Sequence, residues 1–191
     1  MSDKAGAFVL HRGKMVFMMG PTVDRSSLAI VRLGGHKEEG ETDWECAQRE
    51  VYEESLMRIK PIEPAMSFYS PNHRFGEDII LELASEDQRQ MYQPQPLIIG
   101  HRNTTPIFLT YSEDNPAPNM ETKALLLLSR SDVVRLCSQS MTLDEFQSAG
   151  GEVLFGEEID GSLPFKPFGH LRMLSLMVMR YPDALPDSWV V

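Results

Sequence analysis

Cysteine is scarce in this chain. Cys46 and Cys137 are the only two in 191 residues, and neither belongs to a CxxC pair or lies near histidines at zinc-ligand spacing. Metal–thiolate chemistry is therefore excluded as an organising theme. Basic residues are also in short supply, 18 Lys and Arg against 28 Asp and Glu, for a formal net charge of -10. A field of that sign repels long polyanions and argues against nucleic acid or an anionic membrane as partner. Small phosphorylated ligands stay open, provided a few cations or bound divalent ions invert the local sign. No segment approaches the roughly 20 apolar residues needed to span a bilayer. The best apolar run, residues 124–128, is cut off by Ser129 and Arg130. The basic start and apolar core of a secretory signal are missing too, so the cytoplasm is the expected compartment.

What remains is the make-up of an ordinary folded protein, 42% hydrophobic and 24% charged, without the apolar deficit of disorder. The length suits one domain over residues 1–191 with a generous insertion. No internal repeat or low-complexity segment is present.

The first third reads as three strands, residues 6–10, 15–19 and 28–32, separated by His11-Arg12-Gly13-Lys14 and by Gly20-Pro21. Gly34-Gly35 stops the third strand, and a polar loop leads into a helical pattern over residues 43–57. Strands are predicted at residues 65–69 and 78–83, then a polar, proline-punctuated excursion over residues 84–105 that reads as an insertion. A strand resumes at 106–111, followed by a loop over 112–119 with Pro116 and Pro118, a strongly apolar strand at 122–128, and helices over 131–138, 142–148 and 168–181.

The chemistry is concentrated in the first helix and the turn before it. At about 100° per residue, Glu50, Glu53 and Glu54 fall on one helical face, while Trp44, Ala47, Val51 and Ser55 form a separate stripe that can pack on the sheet. Like charges at these spacings repel unless a cation sits among them. An oxygen-only donor set favours a hard ion, and Mg2+ in particular binds through a few carboxylates, waters and substrate phosphates. Gly34 and Gly35 permit a bend that lets a main-chain carbonyl approach. Glu41 can reach the same site or its surroundings, and Arg49 flanks the acidic face, where it can lock a carboxylate by paired hydrogen bonds. Taken alone, Glu-x-x-Glu-Glu is more simply a solvated acidic helix.

The full spacing is more specific. Gly35, five residues, Glu41, seven residues, then Arg49-Glu50-Val51-Tyr52-Glu53-Glu54-Ser55-Leu56-Met57 resembles the box of the Nudix hydrolases, Leu56 standing where that family has glycine. A chance match of six fixed letters is on the order of one in ten thousand or less. The family's glycine helps the helix terminate, so Leu56 leaves the helix end as the point to examine. The resemblance implies an α/β/α sandwich of the α+β class, with a mixed sheet between helices. It further implies a metal-dependent hydrolase of phosphoanhydride bonds in a small molecule bearing a nucleoside-diphosphate group. Mg2+, or Mn2+ in its place, would be held by Glu50, Glu54 and Glu53, with Glu41 and the Gly35 carbonyl as further ligands. Glu53, Glu54, Glu50 and Arg49 would be the catalytic set, with water as nucleophile. Which glutamate takes the proton stays open, and Glu82, Glu113 and Glu121 are candidates for an accessory carboxylate outside the box.

Weaker signals have plainer readings. Arg32, beside the glycine turn, can touch a substrate phosphate or simply close a strand at the surface. His73-Arg74-Phe75 and His101-Arg102 read as loop surface. Met173, Met177 and Met179 suit core packing, with a homodimer contact as their second use. Cys46 reads as packing. The competing reading of the chain is a Nudix-like module that binds a nucleotide or sugar nucleotide without hydrolysing it; the intact acidic triplet favours the enzyme.

Overall fold

In the computed structural model of the chain, residues 3–70, 79–100 and 104–189 are described. Five α-helices and eleven strands follow one another there: β1 (Gly6–His11), β2 (Lys14–Pro21), β3 (Leu28–Val31), α1 (Asp43–Ser55), β4 (Lys60–Pro61), β5 (Phe68–Tyr69), β6 (Glu82–Leu83), α2 (Glu86–Gln90), β7 (Ile98–Ile99), β8 (Ile107–Tyr111), β9 (Ala124–Leu128), α3 (Arg130–Ser138), α4 (Leu143–Ser148), β10 (Glu152–Phe155), β11 (Phe165–Pro167) and α5 (Gly169–Arg180). All described strands join one sheet, ordered β10-β9-β2-β1-β8-β7-β5-β6, with β3 between β2 and β11 and with β4 beside β8. It is mixed: β1–β8, β3–β11 and β5–β7 run parallel and the other pairs antiparallel.

Period-2 alternation decides which helix covers which face. Ala7, Val9, Val16, Leu125 and Leu127 form one cluster with Val51 and Met57 at the end of α1. Their neighbours Phe8, Leu10, Phe17, Leu126 and Leu128 point the other way and pack on Leu136, Leu171, Leu174 and Met177 of α3 and α5. The result is a helix layer on each side of a central sheet, the α/β/α arrangement of an α+β protein. Among the described residues no helix is long and apolar enough to cross a membrane.

The turn at Arg12-Gly13, with φ of 46° and 78°, gives the left-handed pair that a two-residue hairpin needs between β1 and β2. The third strand ends one residue earlier than the apolar pattern suggests, leaving Arg32 outside it. The strands expected at 65–69 and 78–83 shrink to two residues each, at the far edge of the sheet, where Glu82 and Leu83 are exposed and little packing extends the ladder. Within the proline-rich excursion, Leu97, Ile98 and Ile99 are buried, and β7 slots between β5 and β8. Part of the supposed insertion therefore builds the sheet.

Candidate active site

Helix α1 starts where the sequence can cap it. Thr42 accepts from the Glu45 N–H at 3.2 Å while the Glu45 carboxylate accepts from the Thr42 N–H at 2.9 Å, a reciprocal capping box. Cys46, Ala47, Val51 and Ser55 are buried, and Trp44 stands edge-on to Phe108 with ring centroids 5.1 Å apart. Seating this stripe on the sheet turns Glu50 and Glu54 toward the glycine turn, with Glu53 bonded to Arg49 at their flank.

That turn lies directly against the helix. Gly34 has φ of 129°, and a Cβ on it would collide with the Ala5 carbonyl and Gly6 Cα; a Cβ on Gly35 would collide with the Glu50 carboxylate. Only glycine lets the two segments meet. The Gly34 N–H donates to Glu54 Oε2 at 2.7 Å. The Gly35 carbonyl accepts from the Ala5 N–H at 3.1 Å and from the Cys46 thiol at 3.7 Å. A metal contact there would displace the weak thiol contact, so what Gly35 chiefly contributes in this arrangement is room for Glu50.

Arg49 ties the cluster together. Its Nε and Nη2 grip both oxygens of Glu41 at 2.9 and 3.0 Å, its Nη1 donates to Glu50 and Glu53 at 2.9 and 3.1 Å, and its Nη2 reaches the His36 carbonyl at 2.8 Å. These bonds, led by those to Glu41, strengthen the hold of Arg49 on its proton and keep the Glu41 carboxyl below its usual range. Glu41 Oε2 also accepts from the Glu38 N–H at 2.8 Å. Both Glu41 oxygens are thus engaged, and Glu41 anchors Arg49.

Glu54 is the least solvated of the acids. Burial pushes its carboxyl up to about 8, Glu50 and Glu53 push in the same direction, and the Gly34 hydrogen bond and the Arg32 charge pull against them. Arg32 does not lie at a solvent-facing strand end. It is only 5% exposed, its side chain passes between Gly6 and Gly34, and its Nε has no hydrogen-bond partner among the described residues. Burial lowers its affinity for the proton, and Glu54 is the largest charge offsetting that. In this position the charge of Arg32 is coupled to that of Glu54.

The remaining candidates fall elsewhere. Cys46 is buried, and burial raises its thiol to about 11, which suits packing and not a thiolate. Glu113 pairs with Lys60 at 3.3 Å, Glu82 lies at the exposed sheet edge, and Glu121 is exposed on the turn before β9. Met173 and Met177 are in the core, whereas Met179 is exposed. His73, Arg74, Phe75, His101 and Arg102 lie outside the described residues.

The donor set fits a hard divalent ion. Among the described residues no three acidic, histidine or cysteine side chains already converge on one point. Arg49 draws Glu50 Oε1 and Glu53 Oε2 to itself, leaving the second oxygen of each, and Oε1 of Glu54, without a hydrogen-bond donor from the described residues. The Glu54 carboxyl is raised first by its burial and further by Glu50 and Glu53 beside it.

No family model matches the chain, and no curated protein matches it. Among solved structures, the fold is similar to that of a NUDIX-family hydrolase from Clostridium perfringens, at 15% identity and a TM-score of 0.46, covering 77% of this chain and 92% of that one. It is also similar to a putative nudix hydrolase family member from Chromobacterium violaceum, at 13% identity and a TM-score of 0.42, covering 97% and 81%. An ADP-ribose pyrophosphatase from Streptococcus suis follows at 15% identity and a TM-score of 0.40, covering 68% and 74%. At these scores the case for chemistry rests on the residues of the site.

Proposed function

We propose that the chain is a Nudix-type pyrophosphohydrolase that uses Mg2+, or Mn2+, to cleave a phosphoanhydride bond in a small molecule carrying a nucleoside-diphosphate group. The observation that carries this reading is geometric: Glu54, one turn from Glu50 on the same helix, is pinned by the Gly34 N–H at 2.7 Å, and the Glu50 carboxylate packs against Gly35. Acids gathered on one helical face beside a glycine turn repel one another until a cation sits among them. When bound, the ion lowers the pKa of its water and screens the phosphate oxygens.

The chain's own residues account for the rest. Glu50 and Glu54, beside the glycine turn, would hold the ion, and one of the three glutamates would accept the proton of the attacking water. Arg49 fixes Glu50 and Glu53 relative to each other through one nitrogen. The negative surface keeps polyanionic nucleic acid out while a ligand with one or two phosphates reaches a locally neutralised site.

The test is a panel of nucleoside-diphosphate derivatives, including ADP-ribose and UDP-linked sugars, incubated with Mg2+ or Mn2+ with and without chelator. Phosphomonoester products are scored after phosphatase treatment. Metal-dependent cleavage of at least one class, cut by orders of magnitude in Glu53→Gln and Glu54→Gln, is the expected result. Binding of a panel member without cleavage would replace the enzyme by a ligand-sensing module, and cleavage unchanged in both variants would move the site elsewhere.

A further inference from the structure

The last turn of α1 ends in an unusual way. Leu56 caps it with φ of 58° and ψ of 15°, the left-handed conformation that a helix usually assigns to glycine, and its N–H bonds the Tyr52 carbonyl at 2.9 Å. The carbonyls of Glu53, Glu54 and Ser55 lie beyond that bond and have no partner within the helix. All three are taken by one loop, the proline-containing connection between β8 and β9. Asn119 Nδ2 donates to the Glu53 carbonyl at 2.9 Å, the Asn119 N–H to the Glu54 carbonyl at 3.2 Å, and the Ala117 N–H to the Ser55 carbonyl at 3.0 Å.

The seam continues past the helix. Ser112 Oγ donates to the Arg58 carbonyl at 2.9 Å, and the Arg58 N–H donates to Asp114 Oδ2 at 2.8 Å. Residues 112–119 therefore run alongside residues 53–58 in the opposite sense. Pro116 and Pro118 have no N–H to offer and restrict the backbone on either side of Ala117, which leaves Ala117 and Asn119 as the donors that face the helix end. The orientation of the Asn119 amide is set by chemistry, since its oxygen would be repelled by the Glu53 carbonyl.

We propose that Asn119 is a positioning residue for the acidic site: by capping the carbonyls of Glu53 and Glu54 from outside the helix, it fixes the turn from which both carboxylates project. It does the work that a terminating glycine would share, in a chain that has Leu56 there. The proposal rests on the metal-dependent reading above. Ligand carboxylates need to be held to about half an ångström, and residues that orient ligands are commonly worth tenfold or more in affinity or activity.

The experiment compares the full chain with Asn119→Ala, Asn119→Asp and Asn119→Ala combined with Leu56→Gly. Asp keeps the shape of Asn but donates nothing and adds charge at the helix C-terminus. Three readouts are taken well below the unfolding temperature: amide hydrogen exchange at residues 54–58, Mn2+ affinity from free-ion EPR without substrate, and kcat and KM. The expected result for Asn119→Ala is faster exchange confined to that turn, about tenfold weaker Mn2+ binding and about tenfold lower kcat at unchanged KM. Asn119→Asp should lose more, and Leu56→Gly should restore part of the loss. Mn2+ affinity and kcat equal to wild type in both single variants would overturn the positioning role alone. Wild type that takes up no Mn2+ would overturn the metal-dependent reading, and the positioning role with it.

Discussion

The main-chain N–H of Gly34 lies 2.7 Å from Glu54 Oε2, so the bend after β3 and the last full turn of α1 share a hydrogen bond across 20 residues of sequence. This contact pins a carboxyl in surroundings that disfavour its charge. Its consequence is a pH dependence with a defined sign. The folded-state value of about 8 lies above the ordinary 4.5, so between those two pH values the folded chain retains a proton that the unfolded chain has released. The stability of the metal-free protein must therefore fall as pH rises through that window. Glu54→Gln removes the effect and should raise metal-free stability at pH 8 by about 2 kcal/mol, less than the full linkage value of about 1.4 kcal/mol per pKa unit because the carboxyl keeps an edge in water. Urea unfolding at pH 5 and pH 8 in chelator checks the sign. Added Mg2+ should stabilise wild type at pH 8 and leave Glu54→Gln nearly unchanged; equal gains for both would detach Glu54 from the ion.

Leu56 adopts φ of 58° and is 39% exposed, so its side chain gains little from burial while the backbone bears the cost of a left-handed residue. That cost is about 1–2 kcal/mol, against roughly 0.4–1 kcal/mol of extra unfolded-state freedom that glycine would bring. Leu56→Gly should come out stabilising by about 0.5–1 kcal/mol, seen as a rise of a few degrees in Tm. A lower Tm would show that the Leu56 side chain makes packing contributions larger than its exposure suggests.

How far the sequence revealed the site depended on how local each interaction is. The buried stripe of Ala47 and Val51 and the shared face of Glu50, Glu53 and Glu54 follow from spacing within one helix and were read from the letters, whereas the Thr42–Glu45 capping box, equally local, was not. That Arg49 locks a carboxylate by a paired hydrogen bond was legible, though not that the carboxylate is Glu41. Arg32 was harder. Its burial depends on Gly6, a residue of another strand, leaving space beside Gly34. The Asn119 clamp joins residues 66 positions apart in a loop without periodicity, and a pattern of two prolines says only that a loop is there. The short strands β4 and β7 were missed because two residues carry no measurable alternation.

Arg49 makes its bonds with a planar fork, which lysine does not have. Arg49→Lys can keep one contact to Glu41 or one to Glu50, but not the two-pronged grip of 2.9 and 3.0 Å together with the bridge to Glu53. The side chain is partly exposed, so the stability loss should be modest, about 1 kcal/mol. Turnover should fall further, about 10- to 100-fold, because Glu50 and Glu53 are no longer held relative to each other. Glu41→Gln should lower turnover in the same direction, acting through Arg49. Steady-state kinetics alongside thermal melts separates the two effects, and wild-type turnover in Arg49→Lys would show that the network serves the fold alone.

Arg32 offers the sharpest separation of charge from packing. Its guanidinium is buried, its Nε has no hydrogen-bond partner among the described residues, and the charge it feels most strongly is that of Glu54. Methionine fills a similar volume without the desolvation cost, and below about pH 8 Glu54 keeps its proton, so no uncompensated charge is left buried. The folded state should therefore tolerate Arg32→Met. What should change is the acid: without the neighbouring cation, Glu54 ionises at higher pH, and the pH at which Mn2+ binds should move up by about one unit. Mn2+ titrations across pH 6 to 9, read by EPR on wild type and variant, measure that displacement directly. A midpoint that stays put would mean that the Arg32 charge is spent on the surrounding backbone and that Glu54 is governed by burial alone.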